Sequence, residues 1–171
     1  MATLLLSIVS FFYTSIYSLQ FQNSSGATIN VSSFQGKKIL LVNIATGSSR
    51  VSQLDGLRQL QQQHGDSLVI IAFPSNSFGN EPRTDAEIAQ FCQSTYNSNF
   101  IIAAKGSVQG AGIQSIYHWL ANQSENGDTN LAINADFQKV LIAKDGSIQA
   151  VFSPKVLPMD ADITEAIAIN Y

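Results

Sequence analysis

Cysteine is almost absent from this sequence, and other metal-ligating residues are few. Cys92 is the one cysteine among 171 residues, so no disulfide can form within the chain. Two histidines, His64 and His118, accompany it, and neither a CxxC nor an HExxH motif is present. A structural zinc site needs more ligands than these residues supply. We therefore expect no metal and no cofactor.

Positive charge is also scarce. The chain has 9 Lys and Arg residues against 12 Asp and Glu residues, which gives a formal net charge of −3 at pH 7. A nucleic-acid partner would need clustered basic residues to neutralise phosphates, and the basic residues here are scattered. The sequence therefore predicts no nucleic-acid partner.

The apolar run at the N-terminus is short. Residues 2–13 (ATLLLSIVSFFY) are apolar or small, but a membrane-spanning helix needs roughly 18 apolar residues. The run and the small residues Thr14 and Ser15 after it are typical of a secretory signal, although no Lys or Arg precedes it. A strand or helix packed on the body is the alternative. We expect export to the periplasm or the exterior, with a cytoplasmic location left open, and divide the chain into a segment 1–14 and a domain 15–171.

The remaining pattern indicates one α/β domain, which the length and the 45% hydrophobic content can support. Continuous apolar runs predict strands buried on both faces, and three-residue apolar spacing predicts helices. A capping box at Thr84 and Glu87 marks one helix start. The predicted order is a hairpin over 15–33, a strand over 39–45, a helix ending near 64, a strand over 68–73, helices from 84 and 113, strands over 139–143 and 147–152, and a helix from about 160. This order indicates a sandwich around a mixed sheet.

Short motifs follow one another in a distinctive order along the chain. They are Gly36-Lys37-Lys38 with LLVNIA, Phe73-Pro74-Ser75-Asn76-Ser77-Phe78-Gly79, Glu81-Pro82, Phe91-Cys92, Tyr117-His118-Trp119-Leu120, and Phe137-Gln138-Lys139 before Asp145-Gly146. In this order, and with one residue missing near Asn80, they resemble the glutathione peroxidase family, in particular its compact bacterial forms. The resemblance covers 15–171. It implies a thioredoxin-like fold, with a central mixed sheet flanked by helices and an N-terminal β-hairpin, and a monomer.

The same resemblance implies where the family's reactive groups would lie. In that family a cysteine or selenocysteine attacks a peroxide oxygen, glutamine, tryptophan and asparagine side chains donate hydrogen bonds around it, and thiols reduce the oxidised form. The four matching positions are Ser48, Ser77, Ala135 and Asp136, so all four are changed. Because a serine hydroxyl is negligibly ionised near pH 7, we expect a pseudoenzyme that binds an unknown small molecule or protein, or has a structural role.

Other uses of Ser48 are disfavoured. A hydrolytic serine needs a histidine within hydrogen-bond reach, and the predicted helix would place His64 roughly 20 Å away at about 1.5 Å per residue. We interpret Thr46, Ser48 and Ser49 as helix-capping residues. The four changed positions follow strands, so we expect them to surround one shallow depression at the carboxyl ends of the strands.

Two alternatives keep enzymatic activity. One is a weak thiol-dependent peroxidase or redox protein that uses Cys92, although its place on an apolar helix face with Ile88 predicts a buried, inert thiol. The other is an active family peroxidase, with a role in oxidative stress, whose native nucleophile was replaced by Ser48. The changes at Ser77, Ala135 and Asp136 argue against this second alternative.

Overall fold

The structure is a computed structural model that describes residues 13–169. The predicted signal-like segment 1–14 therefore lies outside the described residues, except for its last two positions. Within 13–169, no helix combines the length and the apolar character needed to cross a membrane.

An N-terminal hairpin and a five-stranded mixed sheet form the β structure. Strands β1 (Gln20–Gln22) and β2 (Thr28–Asn30) pair antiparallel, as predicted. The central sheet has the order β5-β4-β3-β6-β7. Its strands are β3 (Lys38–Ile44), β4 (Leu68–Pro74), β5 (Ile101–Ile102), β6 (Lys139–Ile142) and β7 (Ile148–Phe152).

The two apolar runs form the centre of this sheet. Strand β3 pairs parallel with β4 and antiparallel with β6. Every residue of β3 is buried, and only Val69 of β4 is partly exposed. The prediction of two adjacent parallel strands covered on both faces is therefore confirmed.

Within residues 13–169, five α-helices flank the sheet. They are α1 (Gln53–His64), α2 (Asp85–Tyr96), α3 (Ser115–Leu120), α4 (Gln123–Asn126) and α5 (Ala161–Ala168). The predicted capping box is present at the start of α2, where the Thr84 hydroxyl accepts from Glu87 N and the Glu87 carboxylate accepts from Thr84 N. The predictions missed the two-residue strand β5 and the one-turn helix α4.

The core consists of two layers, one on each face of the sheet. Because side chains alternate along a strand, Leu40 and Val42 of β3 pack in one layer with the leucines of α1, whereas Ile39 and Leu41 pack in the other. The second layer also contains Tyr117 and Trp119 of α3. These layers fix the carboxyl ends of β3 and β4 side by side, and the candidate site lies at that edge.

Candidate functional site

Ser48 lies in a tight turn between β3 and α1, with 4% of its surface exposed. Its N–H donates to the Ala45 carbonyl at 3.2 Å. Its hydroxyl accepts from Arg50 N at 3.3 Å, and its carbonyl accepts from Val51 N at 3.1 Å. Helix α1 begins only at Gln53, so the expectation that Ser48 starts this helix is corrected: Ser48 closes the preceding turn.

Thr46 does not cap the helix either, because its N–H and its hydroxyl both donate to a buried carboxylate. Glu81 accepts from Thr46 N at 2.7 Å and from the Thr46 hydroxyl at 2.6 Å. Arg83 completes the cluster, since its N–H donates to Glu81 at 3.1 Å and its guanidinium donates to Thr46 Oγ1 at 2.6 Å. The start of the turn is thus attached to the 81–83 loop, and no N-cap hydrogen bond from a side chain forms at Ser52 before α1.

Asn80 connects the turn to Asp136, and we call this connection the Asn80 bridge. Its backbone carbonyl accepts from Gly47 N at 2.9 Å, and its side-chain amide donates to Asp136 Oδ2 at 2.6 Å. The approach is close, because a Cβ added at Gly47 would lie 2.7 Å from the Asn80 oxygen. The structure therefore brings the Ser48 turn and Asp136 to one place.

The turn that carries Ala135 and Asp136 is fastened to the end of β3. Asn43 donates its side-chain amide to Ala135 O at 2.9 Å, and its carbonyl accepts from Phe137 N at 2.7 Å. Phe137 has a φ of 66°, a left-handed conformation that side chains larger than glycine rarely adopt. Among the described residues, the buried atoms Asn43 Oδ1 and Asp136 Oδ1 have no hydrogen-bond partner.

Ser77 lies at the same sheet edge but makes its hydrogen bonds elsewhere. The Ser75 N–H donates to Ile44 O, which ties this loop to β3. The Ser77 hydroxyl accepts from Ser75 Oγ at 2.9 Å and from Val108 N at 3.1 Å. Ser77 lines a cavity of about 350 Å³ together with Asn76, Lys105, Gly106 and Ser107. A single depression shared by all four changed positions stays a prediction.

Cys92 is fully buried in the core beside Ile88, as predicted. Burial, reinforced by the negative charge of Glu81, raises the pKa of its thiol to about 11, and Arg83 offsets this only in part. A thiol with such a pKa carries almost no thiolate at neutral pH. Cys92 therefore has the environment of an inert core residue.

The two histidines are not placed to activate Ser48. His64 is the last residue of α1, at the end of the helix remote from Ser48. His118 Nδ1 lies 3.2 Å from Glu125 Oε1 on the surface. Across residues 13–169, no group of three or more His, Cys, Asp or Glu side chains is arranged to hold a metal ion.

Sequence reasoning missed the three residues that organise the site. It noted Glu81 only as part of a motif, treated Asn80 only as the place of a missing residue, and left Arg83 out. No local pattern identifies them, because their partners lie 35 to 56 positions away in the chain. The missing residue near Asn80 was the one available signal.

Comparisons with known proteins agree with this fold. The family model described as glutathione peroxidase matches residues 16–121. A glutathione peroxidase-like peroxiredoxin of Saccharomyces cerevisiae is 32% identical over 151 residues, covering 87% of this chain and 93% of its own. A glutathione peroxidase homolog of Staphylococcus epidermidis is 33% identical over 146 residues, covering 84% and 92%.

Solved structures show the same architecture. The crystal structure of Trgpx in its apo form is similar with a TM-score of 0.69 at 24% identity, covering 92% of this chain and 97% of that one. A thiol:disulfide interchange protein of the thioredoxin family from Chlorobium tepidum has a TM-score of 0.63 at 14% identity, covering 93% and 99%. The expected thioredoxin-like fold is confirmed.

Proposed function

We propose that this chain, which belongs to the glutathione peroxidase family, is a member that does not reduce peroxides and acts as a non-catalytic binding or structural domain. Its relatives carry names such as glutathione peroxidase-like peroxiredoxin and glutathione peroxidase homolog, and the chain shares the fold of glutathione peroxidases of solved structure.

One observation carries the proposal: Ser48, which the resemblance matches to the family's nucleophile, is a buried serine in a closed turn. Reduction of a peroxide requires an anionic nucleophile that attacks one oxygen and expels the other. A hydroxyl stays protonated near pH 7, and serine cannot form the oxidised states through which a cysteine cycles.

The backbone donors around Ser48 also serve internal partners. N–H groups at the start of a helix stabilise a thiolate when they point at it. Here the N–H of Thr46 donates to Glu81, that of Gly47 donates to Asn80, and that of Ser48 donates to Ala45, whereas that of Arg50 donates to the Ser48 hydroxyl. Glu81 and Arg83 beside this turn carry opposite charges, so together they offer a second anion no net positive charge. The arrangement supports a structural role for the turn.

The three other changed positions supply none of the family's donors. The Ser77 hydroxyl accepts from Ser75 and from Val108 N, Ala135 has no polar side chain, and Asp136 Oδ2 accepts from Asn80. Their changes also weaken the alternative of an active peroxidase that lost only its nucleophile. The burial of Cys92 weakens the thiol alternative.

Rebuilding the site tests the proposal. We would compare peroxide reduction by the unmodified chain, a Ser48→Cys variant, and a variant that adds Ser77→Gln, Ala135→Trp and Asp136→Asn, with glutathione and with thioredoxin as reductants. Because such groups act as a unit, we expect no turnover from the first, little from the second and the largest rate from the third. Turnover by the unmodified chain would contradict the proposal, and high activity of Ser48→Cys alone would show that the rest of the site is intact.

A binding role implies an unknown small molecule or protein as partner, and the resemblance to compact family members leads us to propose a monomeric chain. We also propose that the protein is exported from the cytoplasm, because the apolar segment before residue 13 is typical of exported proteins. Fractionation of cells that express the full chain, followed by sedimentation of the purified protein, measures the location and the oligomeric state.

A further inference from the structure

The first described residues, Tyr13–Ser15, are docked against α3 and α4; we call them the docking segment. The indole N–H of Trp119 donates to Thr14 O at 2.6 Å, and Thr14 N donates to Glu125 O at 2.7 Å. With this segment in place Trp119 is 2% exposed. Removing Thr14 would take the hydrogen-bond acceptor away from the indole N–H, which is unfavourable for a largely buried donor.

The end of α4 is shaped to receive Tyr13. Gly127 follows α4 with a φ of 76°, and a Cβ placed there would lie 2.8 Å from two carbons of the Tyr13 ring. Only a residue without a side chain leaves this space to the ring. Ser15 then opens a short 3-10 turn, since its carbonyl accepts from Ser18 N and its hydroxyl accepts from Tyr17 N.

We propose that Tyr13–Ser15 belong to the mature domain, so that any proteolytic removal of the apolar N-terminal segment occurs before Tyr13. The sequence alone places the boundary after residue 14, and a cut there would remove both partners, Tyr13 and Thr14. The cleavage is a hydrolysis by a leader-removing endopeptidase. Water adds its hydroxyl to the carbonyl carbon of the broken peptide bond and a proton to the new amino terminus, which we place at Tyr13 or earlier.

Processing of the full chain tests the proposal directly. The full chain would be expressed in an exporting bacterial host, and the folded product would be analysed by intact mass and N-terminal sequencing. We expect the first residue to be Tyr13 or an earlier one, including a chain that keeps its whole segment. A folded product that begins after Tyr13 would overturn the proposal.

A coupling measurement on the purified product gives a second, independent test. Gly127→Ala should lower the melting temperature more in the unmodified background than in a Tyr13→Ala background, by about 2–4 °C, because the three atoms nearest to the new methyl group are carbons of the Tyr13 ring. Gly110→Ala is the matched control, since Gly110 has a φ of 71° but no atom within 4 Å of an added Cβ. Its effect should be the same in both backgrounds. Equal effects of Gly127→Ala in both backgrounds would contradict the docking of Tyr13.

Discussion

The thiol of Cys92 gives a quantitative prediction, because the structure determines both its ionisation and its access to reagents. Its pKa is raised from an ordinary value of 9.0 to about 11 by burial and by Glu81. The thiolate fraction at pH 7 is then about 1 in 10,000, compared with about 1 in 100 at the ordinary value. Ionisation alone should therefore slow reaction with a thiol reagent about 100-fold.

Burial slows the reaction further. The Cys92 side chain lies among core residues and is 0% exposed, so a reagent reaches it only when the protein opens. The assay is the reaction of the folded protein with an aromatic disulfide reagent, followed by absorbance with and without denaturant. A Cys92→Ser, Gln93→Cys variant provides the control, because Gln93 is the adjacent exposed position on the same helix.

We expect the control cysteine to react at the rate of a free thiol, and Cys92 to react at least about 100 times more slowly until denaturant is added. The pH dependence has a defined sign. Because the folded-state pKa is raised, the contribution of Cys92 to stability is complete below about pH 9 and is lost as the pH rises through about 11. Rapid, stoichiometric labelling of the folded protein at pH 7 would refute this reasoning and restore Cys92 as a redox candidate.

Three further predictions concern the buried polar groups. Glu81→Gln should lower the free energy of unfolding by about 1–3 kcal/mol, because an amide nitrogen would face a donor where the carboxylate now accepts from Thr46 and Arg83. Asn80→Ala should cost about 1–3 kcal/mol in urea denaturation, and this cost should nearly vanish in an Asp136→Ala background. Lys139→Met should remove a pH dependence, because burial lowers the pKa of Lys139 to about 8 from 10.5; the stability that Lys139 contributes above pH 10.5 is lost as the pH falls through about 8.

Controls for these variants are available on the surface. Glu165→Gln changes an exposed carboxylate of α5 and should alter the free energy of unfolding by less than about 0.5 kcal/mol. Full additivity of the Asn80 and Asp136 changes would contradict the Asn80 bridge. An unchanged pH profile of stability between pH 8 and 10.5 in Lys139→Met would contradict the desolvated state of Lys139.

The fold was predictable because its strongest signals are local. The apolar runs in β3 and β4 have the composition of strands covered on both faces, and the capping box of α2 needs only Thr84 and Glu87. Strand β5 was missed because two residues carry no periodicity. The start of α1 was placed too early, because the serine-rich residues 48–52 form hydrogen-bonded turns that resemble a helix start in sequence.

The sequence predicted some residues of the candidate site, but not the contacts that join them. Ser48 and Asp136 were identified from motif order, and the structure brings their turns together. The contacts that join them depend on Asn80 and Glu81, which meet their partners only after the chain has folded across the end of the sheet. Spacing in the sequence does not encode such contacts, and the hydrogen bonds of Ser77 to the 107–109 segment were missed for the same reason.

Consumption of peroxide by the unmodified protein is the most direct test of the central claim. The measurement follows hydrogen peroxide and an organic hydroperoxide under excess thioredoxin or glutathione, with Cys92→Ser measured in parallel. We predict that neither protein consumes peroxide above the rate of the reductant alone. Sustained turnover by the unmodified protein that disappears in Cys92→Ser would contradict the account and identify Cys92 as the reactive residue.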